Sequence, residues 1–185
     1  MKLKNLACIA LLSLTLAACK NDKKEEAAPQ AEAVAPVDED IVVITLNATV
    51  KKDDSFQIYY KQDMDAEAPF KEEESLYAEF KGSDAPQDIV WKLPKDVLPT
   101  MLRFDSGINK EQSPIVIHKF TISRNGNKAE FAGSDFPRIF MANEETVKFD
   151  PTTATATPIQ LQGGGYDPLF NSTILLNDEL AKIAR

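Results

Sequence analysis

Ile115-Val116-Ile117-His118-Lys119-Phe120-Thr121-Ile122-Ser123-Arg124, followed by Asn125-Gly126 and then by Lys128-Ala129-Glu130-Phe131, is the stretch on which the fold turns. Asn-Gly readily supplies the consecutive positive φ angles of a type I′ turn, whose twist suits two antiparallel strands. The reading is a β-hairpin.

The same period of two runs outward from this hairpin. Upstream, Val42, Ile44, Leu46, Ala48 and Val50 share one phase while Thr45, Asn47 and Thr49 take the other, which predicts a half-buried strand from Ile41. Lys51 to Ser55 turns the chain into a strand with Phe56, Ile58 and Tyr60 on one face and Gln57, Tyr59 and Lys61 on the opposite one. Leu76, Ala78 and Phe80 alternate with Tyr77 and Glu79; Ile89, Trp91 and Leu93 form a further strand; Leu102 and Phe104 oppose Met101, Arg103 and Asp105. Downstream, strands are expected at Arg138 to Met141, Thr146 to Phe149, Pro158 to Gln162 and Thr173 to Leu176, and a short helix capped by Asn177 carries Leu180 and Ile183. Roughly nine or ten short strands separated by turns predict an all-β chain, an antiparallel β-sandwich of jelly-roll-like form with a short C-terminal helix, spanning residues 41–185.

The N-terminal part reads differently. Lys2 and Lys4 precede an apolar run from Leu6 to Leu16, too short to span a bilayer, and Leu16-Ala17-Ala18-Cys19 resembles the bacterial lipobox. The resemblance implies that residues 1–18 are a signal peptide and that Cys19 becomes the lipid-bearing first residue. An ordinary secretory signal and an uncleaved anchor are the alternatives, and in each case the rest of the chain leaves the cytoplasm. Residues 19–40, charged and rich in Ala and Pro, hold too little apolar surface to fold and read as a tether reaching up to about 60 Å from the membrane. The cluster Lys20-Asn21-Asp22-Lys23-Lys24-Glu25-Glu26 resembles export signals that send lipoproteins of the Bacteroidota to the cell surface; a solvated spacer has the same composition.

Cysteine and charge narrow the chemistry. The two cysteines are Cys8, inside the signal, and Cys19, so the folded domain has no thiol for a disulfide, a metal or nucleophilic attack. The formal charge of −8 becomes −10 once residues 1–18, with their two lysines and no acids, are removed. Nucleic acid is a poor partner for such a domain, and its attachment to a membrane would rest on acyl chains rather than on a basic patch.

Catalytic templates find little to match. His118 is the single histidine, and its phase with Val116, Phe120 and Ile122 predicts a buried, hydrogen-bonded ring. No serine lies in a G-x-S-x-G elbow. Asp63, Asp65, Glu67 and Glu74 have calcium-loop spacing, but Ala68 stands where the turn needs glycine, so no metal is assigned there. Asp105, Ser106, Asn109 and Glu111 form a second set of oxygen donors and read as polar loop residues. No cofactor is expected. Arg103 and Asp105 leave one strand on the same face, to bind a polar ligand or to pair with each other. Tyr59 and Tyr77 occupy the polar phase of their strands, where aromatic rings can stack on sugar rings. Trp91 belongs with the core, and Tyr166, beside Gly163-Gly164-Gly165, either bends around a ligand or closes an edge of the fold.

The segments Val90-Trp91-Lys92-Leu93-Pro94, Leu98-Pro99, Leu102-Arg103-Phe104-Asp105-Ser106-Gly107, Ile115-Val116-Ile117 and Phe120-Thr121-Ile122 resemble jelly-roll domains of the carbohydrate-binding-module kind found in envelope glycan proteins of the Bacteroidota. The resemblance covers about 40 residues at the level of fold pattern. It supports the sandwich more than a function; together with the lipobox, the acidity and the lack of a catalytic constellation, the expectation is a lipid-anchored, non-catalytic lipoprotein of the outer membrane, binding glycan or serving envelope glycan assembly, with Tyr59, Tyr77, Arg103 and Asp105, placed by strand phase, as ligand residues. The alternatives are a scaffold that holds another envelope protein and a small carbohydrate-active enzyme.

Overall fold

The computed structural model describes residues 40–185; the expected signal peptide, Cys19 and the tether as far as residue 39 lie outside the described residues. The diagnostic hairpin is present as β6 (Ile115–Arg124) and β7 (Asn127–Ala132), paired antiparallel with Arg124 opposite Asn127. Its turn has Asn125 at φ 50° and Gly126 at φ 77°, the two positive values of a type I′ turn. Asp40, the last residue of the expected tether, accepts hydrogen bonds from Arg124 Nη2 (2.6 Å) and Asn125 Nδ2 (3.1 Å), so the chain is fastened to this turn before its first strand.

Nine further strands complete the sandwich: β1 (Val43–Thr49), β2 (Asp54–Lys61), β3 (Ser75–Phe80), β4 (Gln87–Lys92), β5 (Met101–Asp105), β8 (Phe140–Ala142), β9 (Val147–Asp150), β10 (Thr155–Pro158) and β11 (Leu169–Ser172). The first sheet runs β4-β1-β6-β10-β9, with β7 also on β6; the second runs β3-β2-β5-β11-β8. Matching positions in the two orders are consecutive in the chain, β4 with β3, β1 with β2, β6 with β5. That is the succession of a ribbon rolled up, and it makes the sandwich jelly-roll-like.

The inward phases are those that the alternation assigns. Val42, Ile44, Leu46, Ala48 and Val50 are buried, as are Phe56, Ile58 and Tyr60, Ile89, Trp91 and Leu93, and Leu102 and Phe104. Phe104 sits among aromatic rings, with Phe56 at 5.5 Å, Phe170 at 5.8 Å, Trp91 at 6.0 Å, Phe136 at 6.2 Å and Phe140 at 6.3 Å between centroids. Such ring pairs contribute about 0.5–1.5 kcal/mol each beyond the area they bury.

Four expectations are corrected. His118 is exposed, not buried: Ala48 pairs with Ile117 and Asn47 with Lys119, so His118 is the extra residue of a bulge. A bulge shifts the side-chain phase by one, which explains why Ile115 and Ile117 before it and Phe120 and Ile122 after it all point inward. The expected strand Arg138–Met141 is split: α1 (Phe136–Ile139) comes first and β8 holds only Phe140–Ala142, since Pro137 suits a helix's first turn and Phe136 and Ile139 bury from it. The expected strand Pro158–Gln162 ends where it should begin. The strand β10 is Thr155–Pro158 instead, sharing only Pro158 with the expected one, and Leu161 closes a turn with Gly164 and Gly165.

The fourth correction concerns Thr173 to Leu176. The strand is β11, and α2 (Ile174–Ile183) begins at once, with Thr173 at its N-cap and Leu176, Leu180 and Ile183 buried at helical spacing. Asn177 is therefore not a cap but an interior, buried residue. With its amide nitrogen turned inward it has Ser172 Oγ (2.7 Å), Thr173 O (3.2 Å) and Thr100 O (3.3 Å) as acceptors within reach for its two N–H groups, tying the helix to the second sheet.

Candidate functional site

The outward phase of the second sheet assembles the polar residues of three neighbouring strands. Gln57 on β2 lies between Tyr77 on β3 and Asp105 on β5, and Tyr59 lies between Ser75 and Arg103. Register alone thus brings together Tyr59, Tyr77, Arg103 and Asp105, all four expected ligand residues. Side-chain bonds then link them. Arg103 donates to Asp105 in a fork, Nε to Oδ1 and Nη2 to Oδ2, both at 2.7 Å. Its guanidinium stands over the ring of Tyr59, 5.0 Å from the centroid, a cation–π contact.

Two loops supply what the strands lack. The segment between β2 and β3 folds over β2 and ends in a 3-10 turn at Glu72–Glu74. Glu72 accepts hydrogen bonds from Tyr59 Oη (2.7 Å), Tyr77 Oη (3.0 Å) and Gln57 Nε2 (3.0 Å). The same segment explains why Gln57 and Lys61, though on the outward phase, are only 6% and 4% exposed. Lys61 Nζ donates to the carbonyls of Asp65 and Ala68 and faces the ring of Phe70 at 4.7 Å. The calcium-spaced loop is thus organised around an ammonium group, while Asp63 and Asp65 accept from backbone N–H groups of Asp65, Glu67 and Ala68.

The second loop precedes β11. Its Asp167 accepts two long hydrogen bonds from Arg103 Nη2 (3.3 and 3.4 Å) and keeps an exposed side chain. Ser106 fixes this loop to the end of β5 by donating from both N and Oγ to Pro168 O (2.8 and 3.1 Å). Tyr166 is half-buried, its hydroxyl enclosed without a hydrogen-bond partner among the described residues and pushed up to about 12 by burial and by Asp54.

The second set of oxygen donors does not converge. Asp105 is held by Arg103 and Ser106 by Pro168, while Asn109 bonds Asp53 O and Glu111 N. Their loop is arranged by Asp54, whose carboxylate accepts from the backbone N–H of Ile108 (2.9 Å) and Asn109 (3.1 Å) and from Gln112 Nε2 (2.9 Å). Gly107, at φ 117°, is needed there, because a Cβ would come within 2.4 Å of Asp54 Oδ2. A hollow of about 670 Å³ adjoins this loop, lined by Asp53, Asp54, Glu79, Phe80, Lys81 and Ile108; two of its three acids are committed to the fold, Asp53 to Lys81 and Gly82 and Asp54 to the loop backbone.

Electrostatics follow from this enclosure. Burial pushes Asp105 up to about 6, with Asp167 and Glu72 adding to the rise against the pull of Arg103. Arg103 is held above its ordinary value because Asp105 and Asp167 outweigh the cost of its own burial. Glu72 is held low, by the hydroxyls of Tyr59 and Tyr77 first and by Gln57 and Arg103 as well. Burial and the Glu72 carboxylate in turn raise Tyr59 and Tyr77.

The two tyrosines are not equivalent. Tyr59 has Arg103 over its ring, Phe70 edge-on at 6.3 Å and Glu72 on its hydroxyl, so it is a support. Tyr77 is 55% exposed and presents an open ring held at its hydroxyl by Glu72. His118 takes no part: it lies on β6 in the other sheet and bonds Thr49 Oγ1 at 2.8 Å. Glu72, Asp167, Gln57 and Phe70 were not singled out from sequence; nothing distinguishes Glu72 from Glu73 and Glu74 until the loop folds back. No family model matches the chain, and comparison with curated proteins and with solved structures returns no match.

Proposed function

We propose that this chain is a lipid-anchored, non-catalytic lipoprotein of the bacterial envelope, attached through Cys19, whose sandwich domain binds glycan on the outer face of its second sheet. The observation that carries the reading is the open ring of Tyr77 beside a pre-arranged set of charged and amide groups, Gln57, Glu72, Arg103, Asp105 and Asp167. An aromatic plane flanked by fixed donors and acceptors suits a sugar, which offers a C–H face and a hydroxyl rim. The carboxylates favour binding over turnover, because Glu72 is bonded by two tyrosines and a glutamine and Asp105 by a forked arginine.

The test is a broad glycan array read with the full chain and with Tyr77→Ala. The reading expects at least one polysaccharide bound by the parent and lost in the variant; an array without binding refutes it. Mass spectrometry of membrane-extracted protein tests the anchor, which predicts an acylated Cys19 as first residue.

A second reading is favoured by one feature. On the three-residue edge strand β8, Met141 is 64% exposed beside a groove of about 550 Å³ lined by Pro137, Phe140 and Phe149. An edge of this kind suits a partner protein of the envelope. Stoichiometric co-purification of a membrane protein, lost on Met141→Lys, would favour it.

A further inference from the structure

The charges on the tyrosine face define the class of glycan it accepts. Three carboxylates, Glu72, Asp105 and Asp167, surround one guanidinium, and that guanidinium is already matched by the forked bond to Asp105 and the longer contacts to Asp167. The neighbouring ammonium of Lys61 is buried under its loop and turned to the Asp65 and Ala68 carbonyls. An acidic sugar arriving here meets fixed negative charge, and among the described residues of this face no free cation stands ready to receive it, on a chain whose formal charge is −8.

What the face leaves open is suited to hydroxyl groups. Asp167 has only long contacts to Arg103 and an exposed side chain, so its oxygens retain lone pairs for O–H donors. Nη1 of Arg103 has no hydrogen-bond partner among the described residues and can donate to a sugar oxygen. Tyr77 is on β3, whereas Arg103 is on β5, two strands away, and Asp167 lies just before β11, three strands away. Two to three strand spacings are roughly 10–14 Å, more than one sugar ring covers.

Resting on the glycan reading above, we infer that the ligand is an oligosaccharide chain without acidic groups, laid across the strands from Tyr77 to Asp167, with one ring stacked on Tyr77 and hydroxyls of a later unit held by the Asp167 carboxylate and Arg103 Nη1. Asp167 is in this account a ligand-binding residue, not merely a partner of Arg103.

The experiment is an array carrying neutral glucans, mannans, galactans and xylans, the amine-bearing chitosan, and the acidic polygalacturonate, alginate, hyaluronan and sulfated glycosaminoglycans, read with the full chain and with Asp167→Ala and Tyr77→Ala. The expected result is binding confined to glycans without acidic groups and weakened about tenfold or more by Asp167→Ala, whose exposed position keeps the fold intact. An acidic glycan bound through Tyr77 overturns the inference while leaving the glycan reading standing. Neutral binding unchanged in Asp167→Ala overturns the assignment of Asp167. No binding of any kind removes the glycan reading itself, and this inference with it.

Discussion

Thr45, Asn47, Asp88, Lys119, Thr121 and Lys128 line a shallow polar hollow on the outer face of the first sheet, while Gln57, Tyr59, Tyr77, Arg103 and Asp105 occupy the corresponding face of the second. Both sets come from the outward phase of alternating strands. On the first face the bonds run between or along strands, Asn47 to Asp88 at 2.7 Å, Lys119 to Glu130 at 3.4 Å, Lys128 to Glu130 at 2.6 Å, and both ends of the ion pairs are wet. On the second face two long loops bring Glu72 and Asp167 onto the strands, and the charged groups are partly withdrawn from water. Alternation alone produces a solvated skin; loops folding back over it produce a built surface.

The largest effect that would break this contrast is on stability. Arg103→Ala leaves Asp105, 9% exposed, without its counter-charge and should cost about 3 kcal/mol in urea unfolding. Lys119→Ala on the first face should cost less than about 0.5 kcal/mol. Equal costs would mean that the second face is no more built than the first.

One carboxylate from each face, Asp105 on the second and Glu130 on the first, should also titrate with opposite signs. The folded value of Asp105, about 6, lies above its ordinary 3.8, so between these values the folded protein keeps a proton that the unfolded chain has released. Its contribution to stability is complete below the ordinary value and is lost as pH rises through about 6. Relative to the parent, Asp105→Asn should therefore gain about 2 kcal/mol between pH 4 and pH 7.5. Glu130, held low by Lys128 and Lys119, contributes above its ordinary value and loses that contribution as pH falls, so Glu130→Gln should gain ground on acidification instead. Urea titrations of the parent and both variants at the two pH values check the signs.

Smaller effects sharpen the contrast. Tyr59→Phe removes a hydrogen bond to a carboxylate and should cost about 1 kcal/mol, against a few tenths for Asn47→Ala across the molecule. Tyr77→Ala should change stability least on its own face, by about 0.5 kcal/mol, because its ring is mostly in solvent. A thermal unfolding series reads both; a Tyr77→Ala protein as damaged as Arg103→Ala would make Tyr77 a structural residue rather than an open platform.

How much of this was legible follows from where each signal resides. The inward phases of β1, β2, β4 and β5 are local, so the core and the outward placement of Tyr59, Tyr77, Arg103 and Asp105 could be read directly. That those four share one sheet depends on register between strands far apart in the chain, which alternation does not encode. Glu72 and Asp167 reach the site through loops whose paths are set by buried Lys61 and by the Ser106–Pro168 bonds, tertiary events with no periodic trace. The phase of His118 failed for a related reason, since one extra residue opposite Asn47 and Ala48 reverses it. In β10 and β11 the strands are four residues long, and Ile174, Leu175 and Leu176 at the start of α2 fit the strand pattern until the packing of Leu176, Leu180 and Ile183 decides.

The central claim is that ligand binding belongs to the second face and not the first. Its most direct test is calorimetric titration of the array-selected glycan into the parent, Tyr77→Ala and Asn47→Ala. The account predicts affinity weakened about tenfold or more in Tyr77→Ala, a loss of about 1.4 kcal/mol or more, and unchanged within about twofold in Asn47→Ala. Affinity kept in Tyr77→Ala and lost in Asn47→Ala would contradict it.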